Sequence, residues 1–112
     1  MIIEAVVIEF LKDKLDVPVV AETPDAEPES YVRIEKVGRQ KRNFLITDSI
    51  AFQSYGTTMY NAAMLDEKVQ STIPELAEST EISGVHLASN YNATDTSKKN
   101  YRYQCIFDIT HK

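Results

Sequence analysis

Near the end of the chain apolar and polar residues alternate. Tyr101, Tyr103, Cys105, Phe107 and Ile109 fall on one side of an extended segment; Arg102, Gln104, Asp108 and Thr110 fall on the other, and only Ile106 breaks the rule. A period of two predicts a strand with one buried face. ISGVHLASNY precedes it across the polar loop NATDTSKK, so the two segments form a hairpin. A similar alternation runs through FLITDSIAFQSYG, where Phe44, Ile46, Ile50 and Phe52 are apolar and Asp48 intrudes on their face. A bulge near Asp48, or a place at the sheet rim, lets that carboxylate reach water. YVRIEKV is the partner strand. GRQKRN, residues 38–43, is the polar connection between them, with Gly38 as its turn residue.

Elsewhere the period lengthens. Ile3, Val7, Phe10 and Leu11, with Val6 beside them, recur at helical spacing and predict an amphipathic helix over residues 2–14. Pro18 forces an extended start, and VPVVA predicts a short strand. ETPDAEPES, residues 22–30, is an acidic, proline-bearing loop. After Gly56, Thr57 or Thr58 caps a helix through MYNAAMLDEKVQST, because a hydroxyl accepts from the exposed backbone N–H groups. Ala62, Leu65, Val69 and Ile73 share one stripe of it, and Pro74 ends or kinks it near Thr72, with PELAES as a further short turn.

The predicted order is helix, short strand, strand, strand, helix, strand, strand. The expected fold class is α+β, a single domain over residues 1–112 with a mostly antiparallel sheet of four to five strands and two main helices packed on one face. Two helices cannot bury both faces of such a sheet, so the other face meets solvent or a partner.

Composition narrows the function. A chain of 112 residues with 43% hydrophobic content buries a real core. The net charge of −5 disfavours a general nucleic-acid binder, though an acidic protein suits letting DNA slide past without sticking. The single cysteine, Cys105, cannot form an internal disulfide, and a reducing compartment fits. In MIIEAVVIEFLKDKL, Glu4 and Glu9 interrupt the apolar run and Lys12, Asp13 and Lys14 end it. It is too short and too charged for a membrane span or an export signal.

No catalytic chemistry stands out. Gly38, Gly56 and Gly84 are isolated, so there is no phosphate-cradling loop. His86, His111 and Cys105 match no zinc spacing; the expectation is a core thiol and two surface imidazoles. A buried thiol without an electropositive neighbour stays protonated and unreactive. No placed carboxylate pair is visible for acid–base work. Catalytic, cofactor-binding and metal-ligating residues are therefore expected to be none.

Two charge clusters are more informative. Glu22, Asp25, Glu27 and Glu29 make one loop acidic, and Lys36, Arg39, Lys41 and Arg42 make the hairpin tip basic. Charged loops are ordinarily just solvated. The alternative is that the tip of one subunit meets the acidic loop of the next, a head-to-tail contact of the kind that closes into rings. The six tyrosines, against four phenylalanines and no tryptophan, suit a half-wet sheet or an interface, although core packing explains most of them.

The layout resembles the tail terminator, or tail-completion, proteins of long-tailed bacteriophages. The resemblance is carried by EAVVIEFLKDKL running into VPVVAETP, by SYVRIEKVG, ITDSIAFQSYG and YNAAMLDEKV, and by the ending ISGVHLASNYNATDTSKKNYRYQCIFDITHK. It covers nearly the whole chain as a pattern of elements, without an invariant catalytic motif. It implies helices packed on a sheet and a structural role: a ring, typically of six subunits, that caps the tail tube and joins tail to head. It further implies contacts with the tail tube protein and a head–tail connector, no cofactor, no enzymatic activity, and no membrane or sequence-specific nucleic-acid binding. The location implied is the virion, and the host cytoplasm during assembly. No functional residue carries over, because the family's interface positions are tied to no motif present here. A reading from another class is a small α+β ligand-binding or regulatory domain that dimerises through its sheet.

Overall fold

A computed structural model describes residues 1–98 and 100–112; Lys99, in the expected polar loop, lies outside them. The chain forms helix α1 (Ile3–Lys14), strands β1 (Val19–Val20), β2 (Tyr31–Arg42) and β3 (Leu45–Gly56), helix α2 (Met59–Thr72), a 3₁₀ helix (Ile73–Glu78), and strands β4 (Ile82–Asn92) and β5 (Tyr101–His111). The strands make one sheet in the order β1-β2-β3-β5-β4. Only β1, against β2, is parallel; every other pairing is antiparallel. The expected α+β class is the one observed.

The helical elements form where the pattern placed them. The Thr58 hydroxyl accepts from the Asn61 amide at 3.0 Å and caps α2. Pro74 stands at the start of the 3₁₀ helix, where its missing N–H costs nothing. Ile3, Val7 and Leu11 of α1 are fully buried, with Val69 and Ile73 from the second helical segment. They meet Val32 and Ile34 of β2, Ile50 and Phe52 of β3, and Cys105, Phe107 and Ile109 of β5 in one core. Phe52 and Phe107 pack edge to face, their centroids 5.9 Å apart. At Gly56 an added Cβ would lie 2.6 Å from the Ala62 backbone nitrogen. The missing side chain lets the first turn of α2 close directly onto the end of β3, which fixes where the helix lies over the sheet.

The opposite face of the sheet is polar and bonded to itself. Thr47 and Thr110 hydroxyls lie 2.9 Å apart, and Ser49 donates to Asp108 at 2.7 Å. Arg33 donates to Gln53 at 2.7 Å, Gln53 to Gln104 at 2.9 Å, and Gln104 in turn to Tyr91. Tyr31 and Tyr55 stack there with centroids 4.4 Å apart, and both are buried. Cross-strand partners thus satisfy much of this face within the subunit.

Candidate functional site

The expected polar connection over residues 38–43 is strand for nearly its whole length. β2 runs to Arg42, and the turn consists of Asn43 and Phe44, both at positive φ. Gly38 is therefore not a turn residue. It follows a bulge at Val37, where the pairing passes from Lys36 opposite Ile50 to Gly38 opposite Ser49. This stretch escapes recognition because it lies at the sheet edge beyond β1, which pairs only with Val32 and Arg33, so its side chains stay exposed and show no apolar alternation. Phe44, expected on the apolar face of β3, is 98% exposed.

The extra residue in β2 resets the alternation and sets Arg39 opposite Asp48. Asp48 was expected to reach water; it is fully buried instead. Arg39 Nε donates to its Oδ1 at 2.6 Å and Nη2 to its Oδ2 at 3.1 Å. His111, expected at the surface, is also fully buried, and its Nε2 donates to Asp48 Oδ2 at 2.7 Å. The physical reason is the period of two: residue 111 falls on the same side as Cys105, Phe107 and Ile109. Burial alone would raise the Asp48 pKa; the hydrogen bonds from Arg39 and His111 outweigh it and hold the value below the ordinary one.

Arg39 is thus committed inside the subunit. Lys36, Lys41 and Arg42 are exposed and make no ion pair among the described residues. Glu22, Asp25, Glu27 and Glu29 are exposed as well, and Glu27 accepts from the Tyr31 hydroxyl at 3.1 Å. The acidic loop precedes the first residue of β2 and Arg42 is its last, so the acidic loop and the basic pair Lys41 and Arg42 sit at opposite ends of one strand in a molecule 44 Å long, with Lys36 midway along it. No ion pair among the described residues joins them.

A second buried carboxylate was not anticipated. Asp66 lies on the inner stripe of α2 and is 2% exposed. Its Oδ2 accepts from Gln70 at 2.7 Å and from Asn90 of β4 at 2.8 Å. Its Oδ1 has no hydrogen-bond partner among the described residues. Burial, aided by Glu67, raises its pKa above the ordinary value, against the lowering effect of Asn90, Gln70 and the Cys105 thiol. Asp66 lines an open cleft of about 710 Å³, together with Glu67, Gln70, Ser71, Asn90 and Tyr103. The available signal was a carboxylate spaced four residues after Ala62 and three before Val69 on an otherwise apolar stripe.

Cys105 is buried and unpaired, as expected, and burial beside Asp66 pushes its thiol well up. His86 is exposed on β4. Among the described residues no group of three His, Cys, Asp or Glu side chains is placed to hold a metal ion, and no helix is long and apolar enough to cross a membrane. No protein-family model matches the chain, and no curated protein matches it.

Proposed function

We propose that this chain is a structural assembly protein of a long-tailed phage that forms a ring at the end of the tail tube and joins tail to head. The observation that carries the reading is polarity. The basic residues Lys41 and Arg42 end β2, the acidic loop Glu22 to Glu29 precedes its start, and neither is neutralised by the other within the subunit. Opposite charges at opposite ends suit a heterologous contact, which repeats and closes when the rotation allows. The α+β arrangement of helices on one sheet face is the one that the resemblance implies. The role is non-enzymatic and needs no cofactor; its partners are other copies, the tube protein and a connector. The excess of acidic over basic residues keeps the assembled opening from holding DNA by counterion release.

A test is electron microscopy of tail tubes incubated with the purified protein, beside light scattering of the protein alone. Rings at tube ends are expected. A stable two-fold dimer, with no ring on any tube, overturns the reading in favour of a module that pairs through its sheet.

A further inference from the structure

The end of the β2–β3 hairpin carries a feature that the fold does not use. Arg42 pairs with Leu45, so Asn43 and Phe44 alone make the turn, at φ 48° and 70°. Such turns favour Asn followed by Gly, because the second residue also needs positive φ. Here the second residue is an aromatic held in the left-handed region. Its side chain gains nothing in return within the subunit, since Phe44 is 98% exposed. An exposed aromatic kept at a strained position marks a contact made elsewhere. Lys41 and Arg42 stand exposed beside it and make no ion pair among the described residues.

A cleft near the other end of β2 has the matching chemistry. It lies between α1 and the segment that runs from β1 into the acidic loop, and its volume is about 560 Å³. Ile8 of α1, Val20 of β1 and Pro24 line it with apolar surface that the subunit covers only in part. Glu22 and Asp25 line it too; both are exposed, and neither makes an ion pair among the described residues. Lys12 is the one cation among its lining residues, so the cleft stays net acidic. Apolar walls with accessible carboxylates beside them suit an aromatic side chain flanked by cations. Position agrees as well. Val20 pairs with Arg33 and Arg33 with Gln53, which is eight residues along β3 from Leu45, about 27 Å at ~3.4 Å per residue. The hairpin end cannot reach the cleft of its own subunit, so the contact takes a second copy.

From these placements we infer that the hairpin end of one copy docks in the α1–β1 cleft of the next, with Phe44 packed against Ile8, Val20 and Pro24 and with Lys41 and Arg42 paired to Glu22 and Asp25. This contact rests on the head-to-tail reading above and gives the opposite charges an apolar anchor between them. It is heterologous, so each copy keeps one free hairpin end and one free cleft until a ring closes.

Sedimentation velocity of three variants tests it, all at exposed positions that leave the core untouched. Phe44→Gly removes the anchor and relieves the turn. Lys41→Glu with Arg42→Glu reverses the tip, and Glu22→Lys with Asp25→Lys reverses the cleft. Each variant alone is expected to weaken self-association at least about tenfold. The two charge-reversed chains, mixed in equal amounts, are expected to regain it in alternation, since the tip of each then meets a cleft of opposite charge in the other. Assemblies that persist unchanged in all three variants overturn this contact and leave the ring standing. Loss on charge reversal with none from Phe44→Gly overturns the seating of the aromatic, because the tip then meets its partner by charge alone. A mixture that stays as weak as its components overturns the pairing of tip with cleft. A wild-type chain that stays monomeric up to about 1 mM, with or without tail tubes, overturns both this contact and the ring.

Discussion

Asp48 and Asp66 are both nearly inaccessible to water, and both lie between helices and the same sheet face, yet their surroundings are opposite. Asp48 has a guanidinium and an imidazole bonded to it, Arg39 and His111, and both of its oxygens are used. Asp66 has only the amides of Gln70 and Asn90, both on one oxygen, with the Cys105 thiol nearby. The pKa values move accordingly, below the ordinary value for Asp48 and above it for Asp66. A buried carboxylate with its cation belongs to the fold. A buried carboxylate without one leans on neutral donors alone, here Gln70, Asn90 and the Cys105 thiol, and they do not offset its burial. Burial by itself does not separate the two; what separates them is where the compensating charge comes from.

The largest expected effect is on Asp48. Asp48→Asn keeps the shape but leaves Arg39 and His111 facing a neutral amide at the end of β5. Breaking a buried pair by removing one partner costs about 3–5 kcal/mol. Urea unfolding followed by circular dichroism is the check. A loss no greater than that from Asp66→Asn would mean that the Arg39 guanidinium and the His111 hydrogen bond at Asp48 count for little, and the contrast between the two aspartates would collapse.

Next comes the pH dependence, where the two groups have opposite signs. Asp48 has a lowered native pKa, so its stabilisation is complete above the unfolded value of about 4 and fades as pH falls through the native value. Asp66 has a raised native pKa, so its contribution is complete below about pH 4 and is lost as pH rises through the native value. Glu67 and Cys105 lie beside Asp66, and Arg39 and His111 beside Asp48. Stability measured from pH 2 to pH 7, in ~1 unit steps, tests both signs. Asp48→Asn should flatten the acid limb, and Asp66→Asn should gain on wild type as pH rises past about 4. Parallel curves for the two variants would show that their surroundings do not differ in the way the hydrogen bonds imply.

How much of this contrast was legible in the chain differs between the two sites. Asp48 stood out as a carboxylate on an apolar alternation. Its partners did not. Arg39 reaches it only because one extra residue at Val37 resets β2, and the trace of that bulge in VRIEKVGRQKR is Gly38, which a turn explains equally well. His111 was readable by carrying the alternation of β5 one step past Ile109. Asp66 was readable as an acid on the stripe of Ala62, Val69 and Ile73, but helix stripes admit exceptions at their edges, and only the packing of α2 on β4 and β5 shows it to be interior. The helices, their ends at Thr58 and Pro74, and the pairing of β4 with β5 followed from local period and capping chemistry, which act over a few residues. The hairpin end did not, because an exposed edge strand has no buried face to reveal its period.

Cys105 offers a smaller and more local test, since its thiol sits against Asp66. Cys105→Ala should cost about 1–2 kcal/mol through a small cavity and should leave assembly intact. In the native protein the thiol should react with alkylating reagents only as fast as the structure opens, because burial keeps it protonated. Rapid native-state labelling would mean that the floor of the Asp66 cleft is open to solvent, and Asp66 would then be better hydrated than Asp48 for a reason unrelated to charge partners.

The smallest expected effect is also the most diagnostic. Asp66→Asn keeps one oxygen for the donors Gln70 and Asn90 and removes a charge that its surroundings disfavour. A neutral isostere of a carboxylate with a raised native pKa resembles its protonated form, which the folded state holds more readily than the unfolded chain does. At neutral pH the isolated subunit should therefore be unchanged or more stable by up to about 1 kcal/mol, unlike most substitutions at buried positions. The measurement is a pair of urea titrations at one protein concentration, low enough that the subunit is monomeric, so that association does not enter the comparison. A loss of 2 kcal/mol or more, on the scale of breaking a hydrogen bond to a charged group, would show that Gln70, Asn90 and the Cys105 thiol already compensate the charged form of Asp66 inside the subunit.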